Sequence, residues 1–114
     1  MAKTPVEYEE MTDVSSQITV KITGASVHAY KSGRMVFLNY MGNVQGYTAG
    51  QLYEILELPS NLRPKTDFFT LGIGTASNLS PFSVYFKASD GTVKILSSDT
   101  ASRRCAFGVS YLIG

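Results

Sequence analysis

A thiolate beside an imidazolium is the usual way to activate sulfur as a nucleophile. The chain has one histidine, His28, and one cysteine, Cys105, from which such a pair could be built. Each sits alone in a segment where apolar and polar residues alternate, and cysteine is among the residue types most often buried. Packing therefore accounts for Cys105 better than reactivity does, and an inert thiol is expected. One histidine and one cysteine cannot supply the three or four soft ligands of a transition-metal site, and no set of aspartates has the spacing of a calcium loop. Neither a metal nor another cofactor is implied. Asp67, Asp90, Asp99 and Glu54 could furnish the paired carboxylates of glycoside hydrolysis, yet any domain of this size offers as many and nothing marks one as a proton donor. The chain reads as a non-enzyme.

Tyrosine is the more informative type. There are seven tyrosines and no tryptophan, with Tyr30, Tyr40, Tyr47, Tyr53 and Tyr85 spread over strands and loops. A tyrosine ring packs on the apolar face of a sugar while its hydroxyl reaches water or a partner, which suits a wet binding surface. Half-burial at sheet edges is the competing reading.

The elements that would position these side chains are strands. Residues 1–16 are acidic and weakly patterned and read as a linker or loosely docked arm, leaving 17–114 as one domain. From Gln17 the period becomes two, because Ile18, Val20 and Ile22 alternate with Thr19, Lys21 and Thr23. Gly24 ends that run. Ser26 to Tyr30, the turn Lys31-Ser32-Gly33, and Arg34 to Met41 form a hairpin pattern closed by Gly42-Asn43. Gln51 to Leu58 fits neither period, so an irregular strand and a single helical turn both remain open, with Pro59 ending either. Leu58-Pro59-Ser60-Asn61-Leu62-Arg63-Pro64 is a rigid crossing, since each proline fixes its own φ and extends the residue before it. Thr66 to Gly74 places Phe69, Leu71 and Ile73 on one face. Phe82, Val84 and Phe86 point inward from the next strand, while Ser83, Tyr85 and Lys87 point out. Asp90-Gly91 marks a tight hairpin turn before Val93 and Ile95. The last strand runs from Arg104 to Gly114, with Phe107, Val109, Tyr111 and Ile113 on one side and a small, scarcely polar side opposite.

A chain of 114 residues suits one domain. Short strands with regular turn signals and no alternating helices point to an all-β antiparallel sandwich or barrel. The immunoglobulin version is disfavoured, because it would carry a Cys, Trp, Cys arrangement. Ten basic and nine acidic residues give a formal net charge of +1, and neither sign gathers into a footprint for phosphate backbones, so nucleic acid is not an expected partner. Arg103-Arg104 reads as a solvated loop corner. A single cysteine excludes an internal disulfide and fits synthesis in a reducing compartment. No apolar run approaches the roughly 20 residues that cross a bilayer, and the N-terminus lacks the pattern of a secretory signal, so no membrane insertion is expected.

The order of features from Gln17 to Gly114 resembles the C-terminal head domain of receptor-binding proteins from tailed phages of Gram-positive bacteria. The likeness rests on the start at Ile18 to Ile22, a Gly-bounded central loop, Leu58-Pro59 followed by Arg63-Pro64, Asp90-Gly91 between the last pair of strands, and an aromatic strand ending at Gly114. It implies a jelly-roll-like β-sandwich, a homotrimer, and recognition of host cell-wall polysaccharide. Other tail or baseplate proteins would be partners, and the virion tail tip or baseplate the location. A last strand with apolar residues on both faces makes self-association plausible. On chemistry, Tyr30 and Tyr85 are the candidate stacking surfaces for a saccharide, and His28, Asp99 and Arg103 the candidate hydrogen-bonding groups. Two further readings stay open: a non-binding virion component such as a head fibre or decoration knob, and a bacterial carbohydrate-binding module.

Overall fold

The computed structural model describes residues 11–44, 52–74, 81–96 and 103–114. Tyr47 and Asp99 lie outside them. The described residues form nine strands: β1 Thr12–Asp13, β2 Thr19–Val20, β3 Ser26–Ser32, β4 Met35–Val44, β5 Leu52–Glu57, β6 Phe68–Gly74, β7 Pro81–Phe86, β8 Thr92–Leu96 and β9 Arg103–Leu112. All pair antiparallel in one sheet of order β1-β3-β4-β9-β6-β7-β8-β5-β2.

That order dictates a curled sheet. Laid flat, β1 and β2 would be about 38 Å apart at the usual strand spacing. They are joined by residues 14–18 alone, which reach at most about 20 Å. The two margins must therefore approach one another, and the result is a sandwich-like roll. Val14 and Ile18 of the connecting segment are buried in the core. Ser15 fastens the segment to β3, its hydroxyl accepting a hydrogen bond from Ala29 N at 2.8 Å. The described end of the expected arm, residues 11–16, is thus docked on the sheet.

Alternation supplies the core. Val36, Leu38 and Tyr40 of β4, Phe82, Val84 and Phe86 of β7, Val93 and Ile95 of β8, and Cys105, Phe107 and Tyr111 of β9 are all buried. Phe86 is the hub of the aromatic packing. Its ring stacks on Phe68 with centroids 4.6 Å apart, meets Phe107 edge-on at 6.0 Å and tilts against Tyr111 at 5.6 Å.

One open expectation is decided by the structure and three change. Within the segment open to two readings, Leu52–Glu57 is an irregular strand, because its register against β8 shifts between Glu54 and Leu56. The bulge turns both Ile55 and Leu56 inward, which no strict period allows. Gly42 does not close β4, which continues through it to Val44 opposite Arg103. A Cβ at Gly42 would lie 2.6 Å from the Tyr40 hydroxyl and 2.7 Å from Ala25 Cβ, so glycine here makes room for an inward tyrosine. Arg103-Arg104 is strand, paired to Val44 and Asn43, and not a loop corner. The Asp90-Gly91 turn spans residues 88–91, with Lys87 N donating to Thr92 O at 3.0 Å. Gly91 alone takes a positive φ, of 74°, and Asp90 instead accepts from Thr92 N at 3.0 Å.

The crossing from β5 to β6 is a 3-10 turn at Ser60–Leu62 framed by extended Pro59 and Arg63. It carries the chain past β8 and β7, and it buries Leu62 completely. Phe69, Leu71 and Ile73 share a face of β6, as their spacing predicts. That face is the outer one, with the three residues 69%, 68% and 54% exposed.

Candidate functional site

β6 and β7 run side by side with Phe69 opposite Tyr85. Both side chains point out of the roll, since their neighbours Phe68 and Phe86 pack inward. The two outward rings lie 4.8 Å apart and tilt 40° to one another. Asp67, just before β6, holds this pair in place: its Oδ2 accepts from the Tyr85 hydroxyl at 2.8 Å, and its Oδ1 accepts from Ala88 N at 2.7 Å. These bonds, the backbone one first, hold the Asp67 carboxyl below the ordinary carboxylate range. The same carboxylate raises the Tyr85 phenol above its ordinary value. Lys94 of β8 pairs across from Tyr85, and Lys87 forms an ion pair with Asp90 at 3.6 Å beside it.

The outcome is an outward-facing aromatic pair, Phe69 exposed and Tyr85 half-buried, with the second ring fixed by a carboxylate and lysines at its border. Such a surface stacks on a flat apolar face and offers charged acceptors and donors around it. Aromatic packing plus polar groups at the rim is the chemistry that sugars need.

The other expected site residues do not converge on it. His28 is exposed on β3 opposite Asn39, and Tyr30, half-buried, lies opposite Phe37. Three strands, β4, β9 and β6, separate β3 from β7. At the usual strand spacing that is about 19 Å. Arg103 lies at the start of β9, opposite the end of β4. His28 and Tyr30 therefore form a patch of their own, with Tyr85 elsewhere. Tyr40 and Tyr111 are core residues and not surface ones. Cys105 is fully buried, and burial pushes its thiol up to about 11, which suits the expected packing role. Among the described residues no group of three metal-ligating side chains occurs, and no helix is long and apolar enough to cross a membrane.

Phe69 and Asp67 are the members of the aromatic site that sequence reasoning missed. Asp67 was indistinguishable from three other carboxylates. A strand pairing Phe69 with Tyr85 was the signal needed, and it emerges only from the register of β6 on β7.

The same architecture occurs in solved phage proteins. The head domain of the receptor-binding protein of lactococcal phage bIL170 superposes with a TM-score of 0.61 at 14% identity, over 92% of this chain and 98% of that one. The receptor-binding protein of Listeria phage PSA superposes with a TM-score of 0.60 at 16% identity, over 91% of this chain. This chain spans 62% of the Listeria phage protein. The fold is thus that of phage receptor-binding head domains, as the order of sequence features implied. No family model matches the sequence, and no curated protein matches it.

Proposed function

We propose that this chain is the receptor-binding head of a phage virion, a non-enzymatic module that attaches the particle to saccharide on the host surface. The observation that carries the reading is the likeness to the bIL170 head domain, which extends over 92% of this chain and nearly all of the other. The aromatic pair Phe69 and Tyr85, braced by Asp67, is where the chemistry suits a sugar ring, while His28 and Tyr30 offer a second patch. Asp99 and Arg103, the latter at the start of β9, are further candidate hydrogen-bonding groups. Copies of the chain assemble in threes, so that weak single sites act together through avidity. Tail or baseplate proteins of the same particle are the structural partners.

Calorimetric titration of the full chain with wall-polysaccharide fragments from a panel of Gram-positive bacteria tests this. A saturable heat that falls at least tenfold in affinity in Tyr85→Ala or Phe69→Ala supports it. Absence of heat across the panel, with no shift in melting temperature, overturns saccharide recognition and leaves a non-binding virion component.

A further inference from the structure

We infer that the outer face of β4, β9 and β6 is the surface on which a second copy of this chain packs. The inference deepens the assembly proposed above by naming its contact face, and it rests on that reading only for the number of copies.

The register builds the face row by row. Met41, Ala106 and Ile73 lie across β4, β9 and β6, Asn39 pairs with Gly108, Phe37 with Ser110, and Met35 with Leu112. None of these residues is ionisable, nor is Leu71, although 17% of the chain is charged. Leu71, Ile73, Leu112, Met41 and Phe37 are 68%, 54%, 54%, 44% and 39% exposed. At roughly 200 Å² for a large apolar residue, these five leave about 500 Å² of apolar surface in water. A standard interface takes about 800 Å² from each partner and is about 60% apolar, so it needs about 480 Å² of such surface. The face has that amount already assembled.

Its relief points to a copy of itself as the occupant. Between β4 and β6 lies a groove of about 560 Å³ floored by Ala106 and Gly108 and walled by Met41, Leu71 and Ile73. Phe37 and Leu112 project from the same face further along β4 and β9. The groove offers the Asn39 amide and little else to the hydroxyls of a polysaccharide, whereas apolar knobs match the remainder of its lining. β4 and β9 are interior strands with neighbours on both sides, so a partner meets side chains here and cannot add a strand. Knob and hollow occupy different strips of the face, so Phe37 and Leu112 of one copy can seat against the groove of the next.

Light scattering on the full chain, at micromolar concentrations up to about 100 µM, reads the mass directly. A multiple of 12.4 kDa is expected, with Leu71→Glu and Ser110→Arg each returning it to 12.4 kDa while circular dichroism keeps its strand spectrum. Ser110 is exposed, so its replacement does not trouble a monomer's core. Thr19→Glu, away from the face, leaves the mass unchanged. A wild-type monomer at the highest concentration overturns the inference, as do folded face variants that keep the wild-type mass. Wall-fragment titration separates the two readings. A monomer that binds fragments removes the interface alone, and a multimer that gives no heat removes saccharide recognition alone.

Discussion

The Tyr85 hydroxyl donates to Asp67 Oδ2 across 2.8 Å, tying the end of β7 to the residue that precedes β6. Eighteen positions of chain separate the two groups, and the bond exists only because β6 and β7 pair in the register that sets Phe69 against Tyr85. It joins the stability of the fold to the shape of the aromatic surface.

Acid should loosen that tie. The Asp67 carboxyl is held below its ordinary value of 3.8 in the folded state by Ala88 N and then by Tyr85. Its contribution is therefore fully present above the unfolded value and is lost as pH falls through the folded one. Melting temperatures of wild type and Asp67→Asn measured from pH 6 to about pH 2 should converge as acid is added. Curves that stay parallel below pH 4 would refute the assignment.

Tyr111 places its hydroxyl 2.7 Å from Leu62 O, joining the last strand to the buried turn of the crossing. Burial raises its phenol well above the ordinary range, so the group is neutral and donating at any working pH. Tyr111→Phe keeps the ring and orphans a buried carbonyl, at a cost of about 1–3 kcal/mol. Urea unfolding should show this as a lower midpoint at unchanged slope.

Gly91 is expected to resist replacement. Its φ of 74° and a Cβ site 2.3 Å from Leu58 O leave room for hydrogen alone. Its own carbonyl accepts from Leu58 N at 2.8 Å, so the crossing is anchored on this turn. Gly91→Ala should destabilise by about 2 kcal/mol or more, combining left-handed strain with displacement of that anchor. A thermal melt within a degree of wild type would contradict this.

Cys105 gives a check on the core. With the thiol fully buried and pushed up to about 11, a disulfide reagent at pH 8 should leave the native protein unmodified. In denaturant it should label one thiol per chain within minutes. Rapid native labelling would mean that β9 opens readily.

The parts of this fold legible in the sequence are those in which one face is apolar and the other is not. Phe82, Val84 and Phe86 announce β7 and its inward side, and Val93 with Ile95 does the same for β8. β6 is different, because Phe68 and Phe69 put an aromatic ring on each side, while Thr70 and Gly72 make the inner row the less greasy of the two. Hydropathy groups Phe69, Leu71 and Ile73 correctly and says nothing of which way they look. In β5, one extra residue brings Ile55 and Leu56 to the same side, and no fixed period describes that. The aromatic site was only half visible. Tyr85 could be picked out as an outward ring, but its bond to Asp67 and its contact with Phe69 are properties of strand register, which depends on residues far apart in the chain. His28 and Tyr30 are outward as alternation suggests, yet strand order, which alternation does not encode, sets them apart from Tyr85.

The docked segment before β3 has a mechanical consequence. A tensile load arriving from the N-terminal side reaches the two rungs Thr12 to Lys31 and Asp13 to Tyr30 first, then the Val14 and Ser15 bonds to Ala29, well before the ten-rung ladder of β4 on β9. Force applied there would peel open the place where the rolled sheet meets itself, one rung at a time. Whatever tethers the module from that direction pulls on its thinnest stitching, and the ease with which those few bonds part sets how hard it can be tugged before it unrolls.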